Sequence, residues 1–224
     1  MGNKELLKDL GIRTTAEQHQ IFDDYAGQAK TPIYFIQDNQ VKAVIAVADV
    51  IRPSSYEAIK RLQQSMEVYM LTGDHKLTAQ AIAKELGIKN VIAEVLPEQK
   101  VEKIRELQKQ GKVVAFVGDG INDAPALTLA DLGIAVGGGT DIAMESGNIV
   151  LMNSDPIKVI SAIDLSKKTF KVIKENLFFA FIYNVIAIPL AALGLLSPMI
   201  AAAAMSFSSV SVVTNSLRIR RSKI

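Results

Sequence analysis

Apolar and polar positions follow three rhythms along this chain. Residues 4–27 are polar at helical spacing and predict mostly helix, with a second helix around 16–26. Strand-like runs follow at 33–37 and 41–48, joined by Asp38-Asn39, a pair suited to a hairpin turn. Arg52-Pro53-Ser54 ends the second run, and Ser54 or Ser55 stands where a cap would start a helix over 55–65. From there short apolar runs alternate with helical stretches. Strands are predicted at 68–71, 91–92, 113–117, 134–136 and 149–151, and helices at 77–86, 97–110 and 124–129. Pro97 opens a helix, and Gly87 and Gly111 close two, as helix ends prefer. Gly137-Gly138-Gly139 reads as a loop, and no internal repeat is visible. Strand and helix in alternation predict an α/β fold built on a doubly wound parallel sheet.

The last rhythm is different. Residues 176–216 carry no charge and break only at Gly194-Leu195-Leu196-Ser197-Pro198. The two halves, about 176–194 and 198–217, each have about the twenty residues needed to cross a bilayer core. Basic residues flank both outer ends: Lys167, Lys168, Lys171 and Lys174 before, and Arg218, Arg220, Arg221 and Lys223 after. The connection between the halves is uncharged, so the positive-inside rule predicts a transmembrane hairpin with both ends in the cytoplasm. The soluble part is then cytoplasmic too, and membrane lipid is an expected partner.

Charge adds little beyond this. All 23 acids lie at or before Glu175, and 21 of the 25 basic residues do so as well. The soluble part is close to neutral and shows no nucleic-acid surface. The absence of cysteine excludes a disulfide framework and a thiolate metal site. The polar start, Met1-Gly2-Asn3-Lys4-Glu5, predicts no cleaved signal peptide.

The richest chemistry is in Val117-Gly118-Asp119-Gly120-Ile121-Asn122-Asp123-Ala124-Pro125-Ala126-Leu127. A strand ending in Gly-Asp-Gly puts a carboxylate at the carboxyl edge of the sheet, where open α/β folds bind ligands. Asp119, Asp123 and Asn122 are hard oxygen donors suited to Mg²⁺. A polar strand-to-helix turn would explain a lone Gly-Asp-Gly, but not the whole string. Thr72-Gly73-Asp74 ends another strand, where Thr72 offers a hydroxyl and Gly73 a backbone N–H to phosphoryl oxygens. Lys100 supplies a mobile positive charge. Together these groups fit Mg²⁺-dependent phosphoryl transfer. A nucleophile is missing: Asp49 ends a strand, but Ile51 and Arg52 follow it, and it reads as a hinge.

In the hairpin, Tyr183 and Asn184 sit mid-span before Pro189. Met205, Ser206, Ser208, Ser209, Ser211, Thr214 and Asn215 run through the second segment. Polar groups at membrane depth mark ion paths or glue helices together. The Met205 thioether is a soft ligand that favours Cu(I).

These residues resemble those of P-type ATPases of the haloacid dehalogenase-like superfamily. Leu71-Thr72-Gly73-Asp74 is similar to the family's TGD segment, Leu96-Pro97-Glu98-Gln99-Lys100 to its lysine motif, and 117–127 to its GDGxNDxPAL motif. Asp49-Val50-Ile51-Arg52-Pro53 resembles the hinge between nucleotide and phosphorylation domains. Gly2-Asn3 is similar to the Gly-Asn pair that contacts ATP. Tyr183-Asn184 and the stretch from Met205 to Ser209 resemble the YN and MxxSS motifs of Cu(I) pumps. Zinc and cadmium relatives place a lysine and an aspartate in these helices, and this chain has neither there.

The resemblance implies a haloacid dehalogenase-like phosphorylation domain over 44–155, preceded by a nucleotide-domain remnant over 1–43. A basic linker helix and the hairpin follow over 156–224. It implies catalytic roles for Thr72, Gly73, Asp74, Lys100, Asn122 and Asp123, with Mg²⁺ on Asp119 and Asp123. It further implies ATP at Gly2 and Asn3, and Cu(I) or Ag(I) at Tyr183, Asn184, Met205 and Ser209. The family's DKTGT aspartate, Cys-Pro-Cys motif, actuator domain and six upstream helices are not in this sequence. The chain therefore resembles the C-terminal third of a copper-exporting pump in the cell membrane, expected to be inactive without the missing N-terminal portion. A membrane-tethered phosphatase, or a non-catalytic subunit completing a separate front half, are the alternatives.

Overall fold

The computed structural model describes residues 1–119, 121–137, 146–195 and 197–220. Gly120 of the acidic string, Gly138-Gly139 of the glycine loop, Leu196 of the apolar turn, and Arg221 and Lys223 lie outside the described residues. The chain forms two compact units, Met1–Val159 and Ile160–Ile224.

The first unit opens with helices α1 (Lys4–Asp9) and α2 (Ala16–Gly27) and the strands β1 (Thr31–Gln37) and β2 (Gln40–Val47). The strands pair antiparallel, and Asp38 and Asn39 take positive φ at the turn, as short hairpins require. Thr15 caps α2 and Gln18 reaches back to the Thr15 N–H, a reciprocal cap that fixes where the helix begins. Phe22 and Tyr34 stack with ring centroids 4.6 Å apart, and with Leu7 and Val41 they form this region's core. The hairpin keeps residues 44–47 in its second strand, across the expected boundary at 43/44.

The helix α3 (Pro53–Leu62) starts on Arg52, with Pro53 at its first position and no side-chain cap. The expected Ser54 or Ser55 cap is therefore wrong. Proline needs no N–H at that position and its fixed φ already suits the helix. Then come β3 (Tyr69–Leu71), α4 (Lys76–Leu86), β4 (Asn90–Ile92), α5 (Pro97–Lys109), β5 (Ala115–Gly118), a 3₁₀ turn (Ile121–Asp123), α6 (Ala124–Leu129), β6 (Leu132–Val136) and β7 (Ile149–Leu151).

All pairs among these strands are parallel, as the alternation predicts, and each was placed within a few residues. They do not make one ladder. β3 pairs with β4, and β5-β6-β7 form a separate sheet, so β3 and β5 each keep an edge without a strand among the described residues. Helices α5 and α6 bury Ile104, Ala126 and Ala130 beside Phe116. The α6 backbone lies so close to β6 that a Cβ at Gly133 would meet Leu127 O at 2.2 Å. The Asp131 carboxylate accepts the Val114 N–H at 2.8 Å, which is why the ladder starts at Ala115 rather than Val113. That hydrogen bond also holds the Asp131 carboxyl below its ordinary pKa.

The helices α7 (Ile157–Ala192) and α8 (Pro198–Arg220) are long and apolar enough to cross a membrane. They are not core helices of a soluble domain, since Phe178, Phe181, Val185, Ile188 and Phe207 are all more than half exposed.

His75 links the parts of the first unit. Its ring meets Phe22 edge-on at 5.5 Å, and its Nδ1 accepts the Leu77 N–H at 3.4 Å. Burial, with the nearby Lys4 charge, holds its pKa below the ordinary imidazole value. The unfolded chain then takes up a proton in the ordinary histidine range that the folded chain refuses. Stability is full above that range and falls as pH drops toward the depressed folded pKa. A histidine NMR titration should find His75 titrating below the ordinary value, and His75→Phe should flatten the acid-side loss of stability. A His75 that titrates above it would contradict this packing.

Candidate functional site

Two of the polar motifs begin where parallel strands end. β3 stops at Leu71 and Thr72-Gly73-Asp74 follows; β5 stops at Gly118 and Asp119 follows. The loop after β3 is locally braced. Thr72 Oγ1 donates to Asp74 Oδ2 at 2.9 Å and accepts the Asp74 N–H at 3.1 Å. The Thr72 backbone bonds Ile92 and Val95, which fixes the loop against the strand next to it. Gly73 and Asp74 are exposed, although the Asp74 N–H, carbonyl and Oδ2 are engaged by Thr72 and Glu94.

The loop after β5 joins a different element. Lys100 Nζ lies 2.8 Å from Asp123 Oδ1, with both side chains mostly removed from solvent. Lys100 sits in the first turn of α5, where the helix dipole disfavours a cation, so its charge is satisfied through the aspartate and not by the helix. Pro97 starts that helix, and the Gln99 side chain accepts the Leu96 N–H at 2.8 Å. This fixed start aims Lys100. Asp123 in turn packs on Gly118, where a Cβ would come 2.8 Å from the Asp123 Cβ and Oδ2. Asp119 and Asn122 are exposed. Among the described residues no three His, Cys, Asp or Glu side chains gather. The oxygen donors of Asp119, Asp123 and Asn122 fit Mg²⁺, which completes its shell with water and phosphate oxygens.

Gly2 and Asn3 serve the fold directly. Gly2 exchanges two backbone hydrogen bonds with Tyr34, and a Cβ there would strike Leu6 at 2.1 Å. The Asn3 side chain caps α1 by accepting the Leu6 N–H at 3.0 Å. Sequence reasoning missed both structural roles, although an Asn directly before Lys4-Glu5 is itself a cap signal.

In the hairpin the expected metal ligands differ in exposure. Tyr183 is half-buried, whereas Asn184, Met205 and Ser209 are exposed, Met205 by 71%. Asn184 donates to Ala180 O at 2.8 Å and Ser209 to Met205 O at 3.2 Å, each back onto its own helix. The Asp123 seat is tightest at Gly118, so Gly118→Ala should displace the carboxylate and destabilise the first unit by about 1–3 kcal/mol, read by denaturant unfolding. Unchanged stability would show that Gly118 is no steric requirement.

Residues 1–131 match the family of haloacid dehalogenase-like hydrolases. Over 99% of its length the chain is 50% identical to a probable copper-transporting ATPase, PacS, of Synechococcus elongatus. It is 49% identical to a copper-exporting P-type ATPase of Vibrio cholerae, over its whole length. It covers 30% of the first relative and 25% of the second, so the chain spans about a quarter to a third of the proteins it matches. A crystal structure of a zinc-transporting PIB-type ATPase in the E2.Pi state superposes with a TM-score of 0.77 at 32% identity, covering 92% of this chain and 34% of that one. With its family match, its parallel strands and its full-length likeness to these pumps, the chain belongs to the haloacid dehalogenase-like hydrolases and is similar to the heavy-metal P-type ATPases among them.

Proposed function

We propose that this chain is the C-terminal part of a Cu(I)-exporting P-type ATPase. Residues 44–155 are its phosphorylation domain, 1–43 a remnant of its nucleotide domain, and 156–224 its linker helix and membrane hairpin. In the complete pump an aspartate from outside these residues takes the γ-phosphoryl of ATP. The state of the sheet carries this reading. Among the described residues β5 has no strand on its outer edge, and Val117 and the preceding Val113 are 44% and 87% exposed. Apolar parallel strands belong in the interior of a sheet. A further strand at that edge would stand beside the Asp119 loop, where a nucleophile is wanting.

Around such a nucleophile, the Thr72 hydroxyl and Gly73 N–H bind phosphoryl oxygens, with Asp74 holding Thr72 in place. Lys100 offsets the phosphoryl charge and is itself positioned by Asp123. Asp119 and Asp123 hold Mg²⁺, with Asn122 beside them; the ion supplies electrostatic stabilisation of the transferring group. Gly2 and Asn3 lie at the nucleotide. In the membrane Tyr183, Asn184, Met205 and Ser209 line the path of Cu(I) or Ag(I), with their exposed sides turned to the upstream helices of the pump. The soluble unit and both hairpin ends face the cytoplasm.

Copper is favoured over zinc by the thioether of Met205 and by the absence of lysine or aspartate from residues 176–217. The test is to co-express the chain with the front portion of a copper-exporting relative and measure metal-stimulated ATP hydrolysis. Copper should stimulate the complex and not the chain alone, and Met205→Ala should lower copper-stimulated turnover by roughly tenfold or more. Equal turnover in Met205→Ala, with zinc the better activator, would overturn the copper assignment. Lys100→Ala should cut turnover at all copper concentrations by roughly a hundredfold, as loss of a charge acting in the transition state does. A change confined to the copper concentration at half-maximal rate would contradict that role.

A further inference from the structure

The hairpin carries one polar cluster that the proposed metal path does not use, centred on a buried asparagine and reaching out to Arg218, whose side chain is exposed. Asn215 is only 6% exposed, on a helix whose other faces are open. Its amide donates to Glu175 Oε2 at 3.1 Å and to Asn176 Oδ1 at 3.0 Å, and its oxygen accepts from Arg218 Nη1 at 2.8 Å. Asn176 Nδ2 donates to Ser216 Oγ at 2.8 Å, and Arg218 lies 3.5 Å from Glu175. Every polar atom of the Asn215 side chain is thus taken up across the helix pair or by the charge next to it. Such groups are costly where apolar surroundings leave no alternative partner, and they bind one arrangement strongly over others.

Their place in the packing gives them a role. The less exposed residues of α7 include Val172, Asn176, Phe179, Tyr183 and Ala187, and those of α8 include Ala204, Ser208, Ser211, Asn215 and Ile219. Both series step by three or four residues, the spacing of a packed helical seam. Ala204, Ser208 and Ser211 line the α8 side, small residues that let the two helices approach closely. A single asparagine in such a seam is the known means of fixing register. A slip of one turn, about 5.4 Å, would put Asn215 opposite Val172 or Phe179, where no partner exists.

We propose that Glu175, Asn176, Asn215 and Arg218 form a clasp that fixes the axial register of the hairpin and thereby sets the depth of the metal-path residues. Antiparallel helices rise equally, so positions equally far from the clasp share a depth. Asn184 stands eight residues beyond Asn176, and Phe207 eight residues before Asn215, midway between Met205 and Ser209. The clasp therefore holds Asn184 level with the centre of the Met205 and Ser209 pair, about 12 Å away along the axis. Its members touch no metal; they are positioning residues. Their significance for transport rests on the copper reading above, but the register itself does not.

The chain has no cysteine of its own, so cross-linking reads the register directly. Ala187 and Ala204 lie equally far from the clasp, and both are half-buried. In nanodiscs, Ala187→Cys with Ala204→Cys should cross-link roughly tenfold faster than the one-turn-offset pair Ala187→Cys with Ser208→Cys. Adding Asn215→Leu should bring that ratio to about one, and Glu175→Gln, which keeps an acceptor but loses the charge, should lower it by about two- to threefold. Thr214→Ala, on the exposed side of α8, should leave it unchanged. An unchanged ratio in Asn215→Leu overturns the clasp. If that variant fails to insert, an unchanged ratio in Glu175→Gln does so. No metal is present in this assay, so a ratio that responds alongside a complex that copper fails to stimulate would sink the copper reading and leave the clasp standing.

Discussion

The contact between Lys100 and Asp123 is the point on which the first unit turns. It joins the first turn of α5 to the 3₁₀ turn after β5, two elements 23 residues apart in sequence. Removing one partner of a buried pair costs about 3–5 kcal/mol, because the other is left charged and unpaired. A cation at that end of a helix is unfavourable without its aspartate. Pro97 and Gln99 fix the helix start, Gly118 makes room for the carboxylate, and the Asp131 carboxylate sets where β5 begins. Local features of three elements converge on one ion pair, next to a strand end where Asp119 is open to solvent. This is more structure than a solvated turn needs.

Much of this was legible in the sequence, and for identifiable reasons. Helix ends at Gly87 and Gly111 and the start at Pro97 follow from backbone chemistry that acts within a turn. The hairpin at Asp38-Asn39 and the apolar strands follow from equally local pattern. The polar motifs fell where expected because strand ends and loops position them. What escaped the sequence was set by non-local contact or by competition between local signals. Pro53 outcompeted the neighbouring serines for the start of α3. Gly2 and Asn3 proved to support β1 and α1. That β3 and β5 lie in separate ladders cannot be read from period or propensity, since strand order is a tertiary property. Asn215 was visible as a polar residue in an apolar segment, but its partners Glu175 and Asn176 lie 40 and 39 residues away.

The two units share one theme: each presents polar chemistry beside an apolar surface left open. In the first unit the open surface is the outer edge of β5, which ends at the Asp119 loop. In the hairpin it is the exposed side that bears Asn184, Met205 and Ser209, each bonded only to its own helix or to nothing across the pair. Apolar strand edges and polar intramembrane groups are both costly when left uncovered. The same proposal, a larger pump of which this is the rear portion, covers both.

The most direct test of that claim is where the phosphoryl group goes. When the chain and a copper pump's front portion are combined and given γ-labelled ATP with copper, an acid-stable, hydroxylamine-sensitive label should form. It should reside on the front polypeptide and depend on Asp123 of this chain. Label on this chain itself, formed without the front portion, would contradict the account.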